Sequence, residues 1–214
     1  FFNYLLTSKL AYFYFSVLRL QRDKGNFQKI NKSSILHFPV PHIDKKLLEL
    51  VEKCKSSEQI DQLIYHAYNF EYKYVQEIED FYRTSTEKYT LVTKEDIVQY
   101  IDEFESIYQS LIENNKNLNF KFYFSDFIGS ILQIIITNEK QPFEFNTIRY
   151  DKLIGLIVKR NIINKKIIRE YKIKIYDDDK FYIFKSNKLK DWTRSQAIKD
   201  VNEELTIIFA NLRG

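Results

Sequence analysis

The stretch Ile35-Leu36-His37-Phe38-Pro39-Val40-Pro41-His42-Ile43-Asp44 is where the chain changes character. Two prolines one residue apart fix φ, remove two backbone donors and push the residue before each away from helical geometry. The stretch therefore reads as extended backbone through which no helix continues. Asp44 is a good N-cap, and a long helical series begins there. On the other side lie an apolar segment and a basic turn, so the two flanks are different things.

Working outward toward the N-terminus, Leu5, Leu6, Leu10, Phe13, Tyr14 and Val17 fall at helical spacing, which predicts one helix over residues 3–18. Asn3, Thr7, Ser8, Lys9, Ser16 and Arg19 make this run too polar for a bilayer span of about 20 apolar residues, and no signal peptide is visible. No membrane partner is expected. Gln21 to Asn26 reads as a turn and Phe27 to Ile30 as a short strand, with Arg19, Arg22, Lys24, Lys29 and Lys32 clustered around them.

Toward the C-terminus the period is helical at first. Leu47, Leu48 and Val51 make one stripe; Ile60, Leu63, Ile64, Ala67 and Tyr68 a second; Tyr74, Val75, Ile78, Phe81 and Tyr82 a third. A fourth, capped by Thr93, runs from Ile97 to Ile112. Together they predict an α-helical middle. The pattern then alternates in Asn119 to Phe124, and Ile128 to Thr137 reads as a buried strand. Asn146 is placed to cap a helix through Val158. Lys172 to Tyr176 and Lys180 to Lys185 form a hairpin, and a last helix starts near Trp192 or Thr193. The expected class is α+β: a recognition-like edge over 1–43, a helical spacer over 44–88 and a mixed α/β domain over 89–214.

The net charge of +4 conceals an uneven distribution. Residues 1–43 carry 6 Lys/Arg against 1 Asp/Glu, residues 44–115 carry 8 against 16, and residues 116–214 carry 19 against 12. Basic ends around an acidic middle suit a polyanion touched by the ends, although solvated faces also differ in sign by chance. The single Cys54 excludes an internal disulfide and suggests a reducing compartment, the cytoplasm by default. The sequence has no Met and opens at Phe1 inside an apolar pattern, as expected of a piece of a longer polypeptide.

Catalytic patterns are missing from the sequence. His37, His42 and His66 lack metal-ligand spacing, and Asp177 to Asp179 lack the glycine and glutamate of a calcium loop. Among four glycines there is no phosphate-binding loop or nucleophile elbow. No catalytic residue, no metal site and no cofactor of its own are expected. Binding features are better defined. From Lys159 to Lys174 there are 7 Lys/Arg, among them Arg160, Lys165 and Lys166, against Glu170 alone, leading into an aromatic hairpin. Such a run suits phosphate contact, and it equally suits an exposed connection without a ligand. Trp192 and Arg194 sit between a strand and a capped helix. They are placed to clamp a nucleic acid, or else Trp192 plugs the join while Arg194 pairs with an acid.

Leu5-Leu6-Thr7-Ser8-Lys9-Leu10 with its aromatics, the basic turn, and Ile35 to Pro41 closing on Pro-x-Pro resemble the end of a target-recognition domain of type I restriction specificity subunits and of adenine-specific DNA methyltransferases of restriction-modification systems. Thr7 stands where the usual "leucine, asparagine, serine" helix has asparagine, and Phe38 precedes the first proline. Ile60-Asp61-Gln62-Leu63-Ile64-Tyr65-His66-Ala67-Tyr68-Asn69-Phe70 is similar to the helix that follows in many of those methyltransferases, and Tyr182 to Val201 looks like a recurrent C-terminal segment. These motifs touch roughly a third of the chain, and their order carries more weight than any one of them.

The resemblance implies double-stranded DNA as partner, with an upstream module or subunit that binds S-adenosylmethionine and flips the base. The signature Asn/Asp-Pro-Pro-Tyr/Phe and a glycine-rich cofactor loop occur nowhere here, so methyl transfer would lie outside these residues. Arg22, Lys24, Lys29 and Lys32 would then meet phosphates, and Asn26 and Gln28 base edges. The other reading is a protein-interaction module that docks a partner through its acidic helical middle and the Trp192 region.

Overall fold

Ser8 breaks the first helix in two. In the computed structural model, which describes residues 1–19, 32–86, 90–112, 116–125, 129–149, 172–177 and 180–211, helix α1 (Phe2–Thr7) stops and α2 (Lys9–Tyr14) starts anew. The Ser8 backbone is extended at ψ 161°, its hydroxyl donates to Leu5 O at 2.7 Å, and it accepts from Ala11 N at 3.1 Å. One serine thus ends one helix and caps the next, which apolar spacing alone does not reveal. A π-helical turn, Phe15–Arg19, follows.

Ile35 and Leu36 belong to a short helix, α3 (Lys32–Leu36), rather than to the extended stretch, which is confined to residues 39–44. Asp44 caps α4 (Lys45–Lys53) by accepting from Leu47 N at 2.7 Å. Ser56 caps α5 (Ser57–Ala67). That helix ends in a left-handed residue, Asn69 (φ 52°), with Asn69 N donating to His66 O and Phe70 N to Tyr65 O. Asparagine tolerates this geometry at a helix end better than most side chains. Helix α6 (Tyr72–Thr86) completes the first of two compact units, Phe1–Thr86 and Glu87–Gly214.

The expected boundary at 43/44 does not separate two cores. Leu5, Leu10, Ala11, Phe15 and Phe38 share one apolar cluster with Ile64, Tyr65 and Ile78, so the Pro-x-Pro stretch is packed against the helices that follow it.

In the second unit Thr93 and Asp96 form a capping box at the start of α7 (Lys94–Tyr108). The fourth helix of the expected helical middle thus belongs here, where Ile97, Tyr100, Ile101 and Phe104 pack on a sheet. Strands β1 (Asn117–Ser125), β2 (Gly129–Thr137), β3 (Glu144–Thr147), β4 (Lys172–Asp177) and β5 (Lys180–Lys185) are arranged in the order β3-β1-β2-β5-β4. The β3–β1 pair is parallel and the others antiparallel, a mixed sheet. Asn146 lies within β3, so it does not cap a helix there; residues 150–158 of that expected helix lie outside the described residues, as do the turn at 21–26 and the strand at 27–30.

Alternation sets the layers. Phe120 and Phe122, Leu132 and Ile134, and Phe181 and Ile183 stand opposite one another on one face, under α7 and helix α8 (Arg194–Asn211), which adds Ala197 and Val201. Gly129 begins β2 at φ +144°, and a Cβ there would sit 2.3 Å from Lys185 O. No other residue fits without moving β5. Among the described residues, eight α-helices and a mixed sheet make the α+β class. No helix among the described residues is long and apolar enough to cross a membrane.

Candidate functional site

Most of the DNA-contact candidates singled out in the sequence, the basic Arg22, Lys24, Lys29, Lys159, Arg160, Lys165 and Lys166 and the amides Asn26 and Gln28, lie outside the described residues. Arg19 closes the π-helical turn, and Lys32 is exposed at the first position of α3. Arg194 is the first residue of α8 and half-buried.

Trp192 is different. Its side chain is 0% exposed, packs edge-on against Tyr100 and Phe122 at centroid distances of 5.3 and 5.0 Å, and donates its indole N–H to Ser186 O at 2.7 Å. With both ring faces inside the core, it has no surface on which a base stacks or a partner docks. Trp192 therefore drops out of the nucleic-acid and partner-docking assignments; it plugs the join between β5 and α8.

Directly above that plug is a group of charges that no motif pointed to. Lys185, at the end of β5, is 2% exposed and Asp200 on α8 is 0% exposed; they form an ion pair. Tyr100 of α7 donates its hydroxyl to the same carboxylate, and Lys172 of β4 donates to Asp200 Oδ1 at 2.6 Å. Lys185 also donates to Asp191 O at 2.9 Å and lies 4.8 and 5.0 Å from the ring centroids of Tyr100 and Trp192. Further along β4, Lys174 pairs with Glu204, which accepts from the Tyr176 hydroxyl at 2.8 Å. Residues 172, 174 and 176 share a strand face and Asp200, Glu203 and Glu204 one helical stripe, so two periodicities build the network.

Burial pushes the Lys185 ammonium down to about 8, against the pull of Asp200. It remains charged at neutral pH. Burial alone would raise the Asp200 carboxyl, but Lys185, Lys172 and Tyr100 hold it below the usual carboxylate range. The Tyr100 hydroxyl is driven well up by burial and by Asp200. Glu203 is likewise held low, by Lys172 and Lys174 against its partial burial. The Lys185 ammonium directs its hydrogen bonds to Asp200, the Asp191 carbonyl and, at 3.5 Å, the Tyr100 hydroxyl. With its three protons so directed, it holds α7, α8 and the sheet together and offers no lone pair to a substrate.

The network is expected to make the second unit acid-labile. Carboxyls whose folded pKa lies below the unfolded one, about 4, give stability that is fully present above that value and lost as pH falls through the folded pKa. Far-UV circular dichroism on acidification is expected to show a transition below about pH 4. D200N should flatten its dependence on pH. An unchanged profile in that variant would remove Asp200 from the account.

In the first unit the Pro-x-Pro stretch is held by two hydroxyls, Tyr14 donating to His37 O at 2.9 Å and Tyr68 to Pro39 O at 2.5 Å, with Phe38 packed against Phe15. Beside it runs an apolar groove of about 350 Å³ with Phe13, Tyr14, Pro39, Tyr68, Phe70 and Tyr74 among its walls. A second anchor lies deeper. Asp61 accepts from Lys9 N at 3.1 Å, and Glu79 accepts from Lys9 Nζ at 2.6 Å and from the Tyr65 hydroxyl at 2.9 Å, which ties α2 to α5 and α6.

Comparison of the chain with protein-family models, with curated proteins and with solved structures finds no match.

Proposed function

We propose that this chain is the DNA-recognition part of a restriction-modification adenine methyltransferase, non-catalytic by itself, with the S-adenosylmethionine site in an upstream module or subunit. A role in defence against phage and a cytoplasmic location go with that proposal. One observation carries it: segments 5–10, 35–41 and 60–70, whose order is the resemblance, contribute Leu5, Leu10, Phe38, Ile64 and Tyr65 to a single core. Motifs that belong to one functional element are expected to fold as one unit, and unrelated chance matches are not.

Duplex binding is expected to weaken steeply with salt, because each phosphate neutralised releases counterions and contributes a slope of about −0.9 in log K against log salt. Titration of a duplex with the full chain at several salt concentrations measures this. A flat response sinks the proposal.

The aromatic groove favours a second reading, a module that docks an apolar segment of a partner chain. Light scattering with and without the upstream methyltransferase part separates the two.

A further inference from the structure

The cations of the second unit fall into two groups. Most described ones are neutralised or bonded within the unit: Lys121 by Glu144, Lys140 by Glu105, Lys172, Lys174 and Lys185 by the network, and Lys116 through Asn138. Lys94, Lys188, Lys190 and Arg194 have no side-chain ion pair or hydrogen bond among the described residues. Lys180, at the far end of β5, shares that state; the other four gather at one edge.

Local structure brings them there. Leu91 bridges Lys188, Val92 N donates to Asn187 O at 2.9 Å and Leu189 N to Thr90 O at 2.9 Å, which fastens the entry to α7 onto the turn before α8. Lys94 and Arg194 are the first residues of these helices. Tyr100 and Asp200, six residues further along each, are hydrogen-bonded, so the helices run side by side in the same direction. Their positive ends therefore add at this edge. Leu189 is buried, which turns Lys188 and Lys190 outward from a turn closed by Asp191 N to Lys188 O and Trp192 N to Leu189 O. Acidic neighbours offset only part of the charge: Glu95 is exposed, Asp96 is engaged in the capping box and Asp191 is bonded to Ser186.

We infer that Lys94, Lys188, Lys190 and Arg194 form a second contact for the phosphate backbone of double-stranded DNA, in addition to the basic turn over residues 19–32. The choice of DNA as the polyanion rests on the function proposed above. Cations mounted on a pinned turn and on two helix starts lose little freedom on binding. The described aromatic nearest to them in sequence, Trp192, is buried, so among the described residues the edge lacks the aromatic anchor that the centre of a protein interface uses.

The test compares salt slopes for duplex binding by the full chain, by K94Q/K188Q/K190Q/R194Q and by R22Q/K24Q/K29Q/K32Q. If each cation of the edge meets one phosphate, the slope of the first variant is shallower than wild type by about 3.6. Its Trp192 emission and far-UV spectrum should stay those of the wild type. A folded edge variant with the wild-type slope, beside a basic-turn variant with a reduced one, overturns this second contact and leaves the DNA-recognition proposal standing. A wild-type chain that binds no duplex overturns both. An equal loss of binding to polyglutamate overturns the assignment to DNA and points to an acidic protein surface instead.

Discussion

Replacing Asp200 by alanine is expected to cost the second unit about 3–5 kcal/mol, because a buried cation is left without its partner. Four groups lose an acceptor at once: Lys185, the Tyr100 hydroxyl, Lys172 for one of its hydrogen bonds and the Gln196 side-chain amide. Lys172 keeps Glu203 and reaches solvent, so its share of the loss is small. Lys185 and Tyr100 have no such escape, since both are buried under α8 and the Trp192 ring. The attraction across a buried pair only repays the desolvation of its members, so removing all the polar groups together should be milder than removing one. The triple variant K185M/D200L/Y100F is expected to recover most of the loss. Denaturant unfolding followed by Trp192 emission measures the first, and the sole tryptophan lies within the affected layer. A D200A protein within about 1 kcal/mol of wild type would show that the network is incidental to stability.

The elements that sequence patterning defined well are those in which local chemistry and periodicity agree. Asp44 and Thr93 cap the helices expected of them, and the alternation in Asn119 to Phe124 and in the Lys172–Lys185 hairpin gives strands, although in β4 it is Lys172, Lys174 and Tyr176 that face α8. Departures occur where a side chain competes with the pattern. Ser8 cuts a continuous apolar stripe because its hydroxyl satisfies backbone groups on both sides. Asn146 reads as a cap but pairs with Tyr123 in a parallel edge strand, a partnership set by tertiary contact alone. The break at the prolines was legible as local geometry. Its consequence was not, because an extended stretch separates two domains or joins two halves of one core depending on whether Phe38 finds a pocket, and here it finds Tyr14 and Phe15. The buried network had a trace in the sequence: a lysine closing the apolar run Phe181 to Phe184, with alternating lysines on the neighbouring strand and acids at helical spacing on α8. Charge counts by region average that trace away, since the opposite signs cancel within the same unit.

Trp192→Ala is expected to destabilise the second unit by about 3–5 kcal/mol, the range for deleting a large buried aromatic. The ring fills the space between Tyr100, Phe122 and the Lys185 ammonium, so truncation opens a cavity beneath a buried charge. Ser186 O also loses the indole N–H, a contribution of about 1 kcal/mol. Trp192→Phe keeps part of the packing but not that hydrogen bond, and should fall between alanine and wild type. Far-UV circular dichroism in a denaturant series follows both variants without depending on the lost fluorophore. Trp192 and Arg194 are two residues apart in sequence and opposite in consequence. A folded W192F chain should bind duplex DNA as wild type does, because no face of the ring reaches solvent, whereas R194Q should leave stability nearly unchanged and lower the salt slope by about 0.9. If W192F instead weakens binding at unchanged stability, the ring takes part in recognition after all, and the division between a buried plug and a cationic edge is wrong.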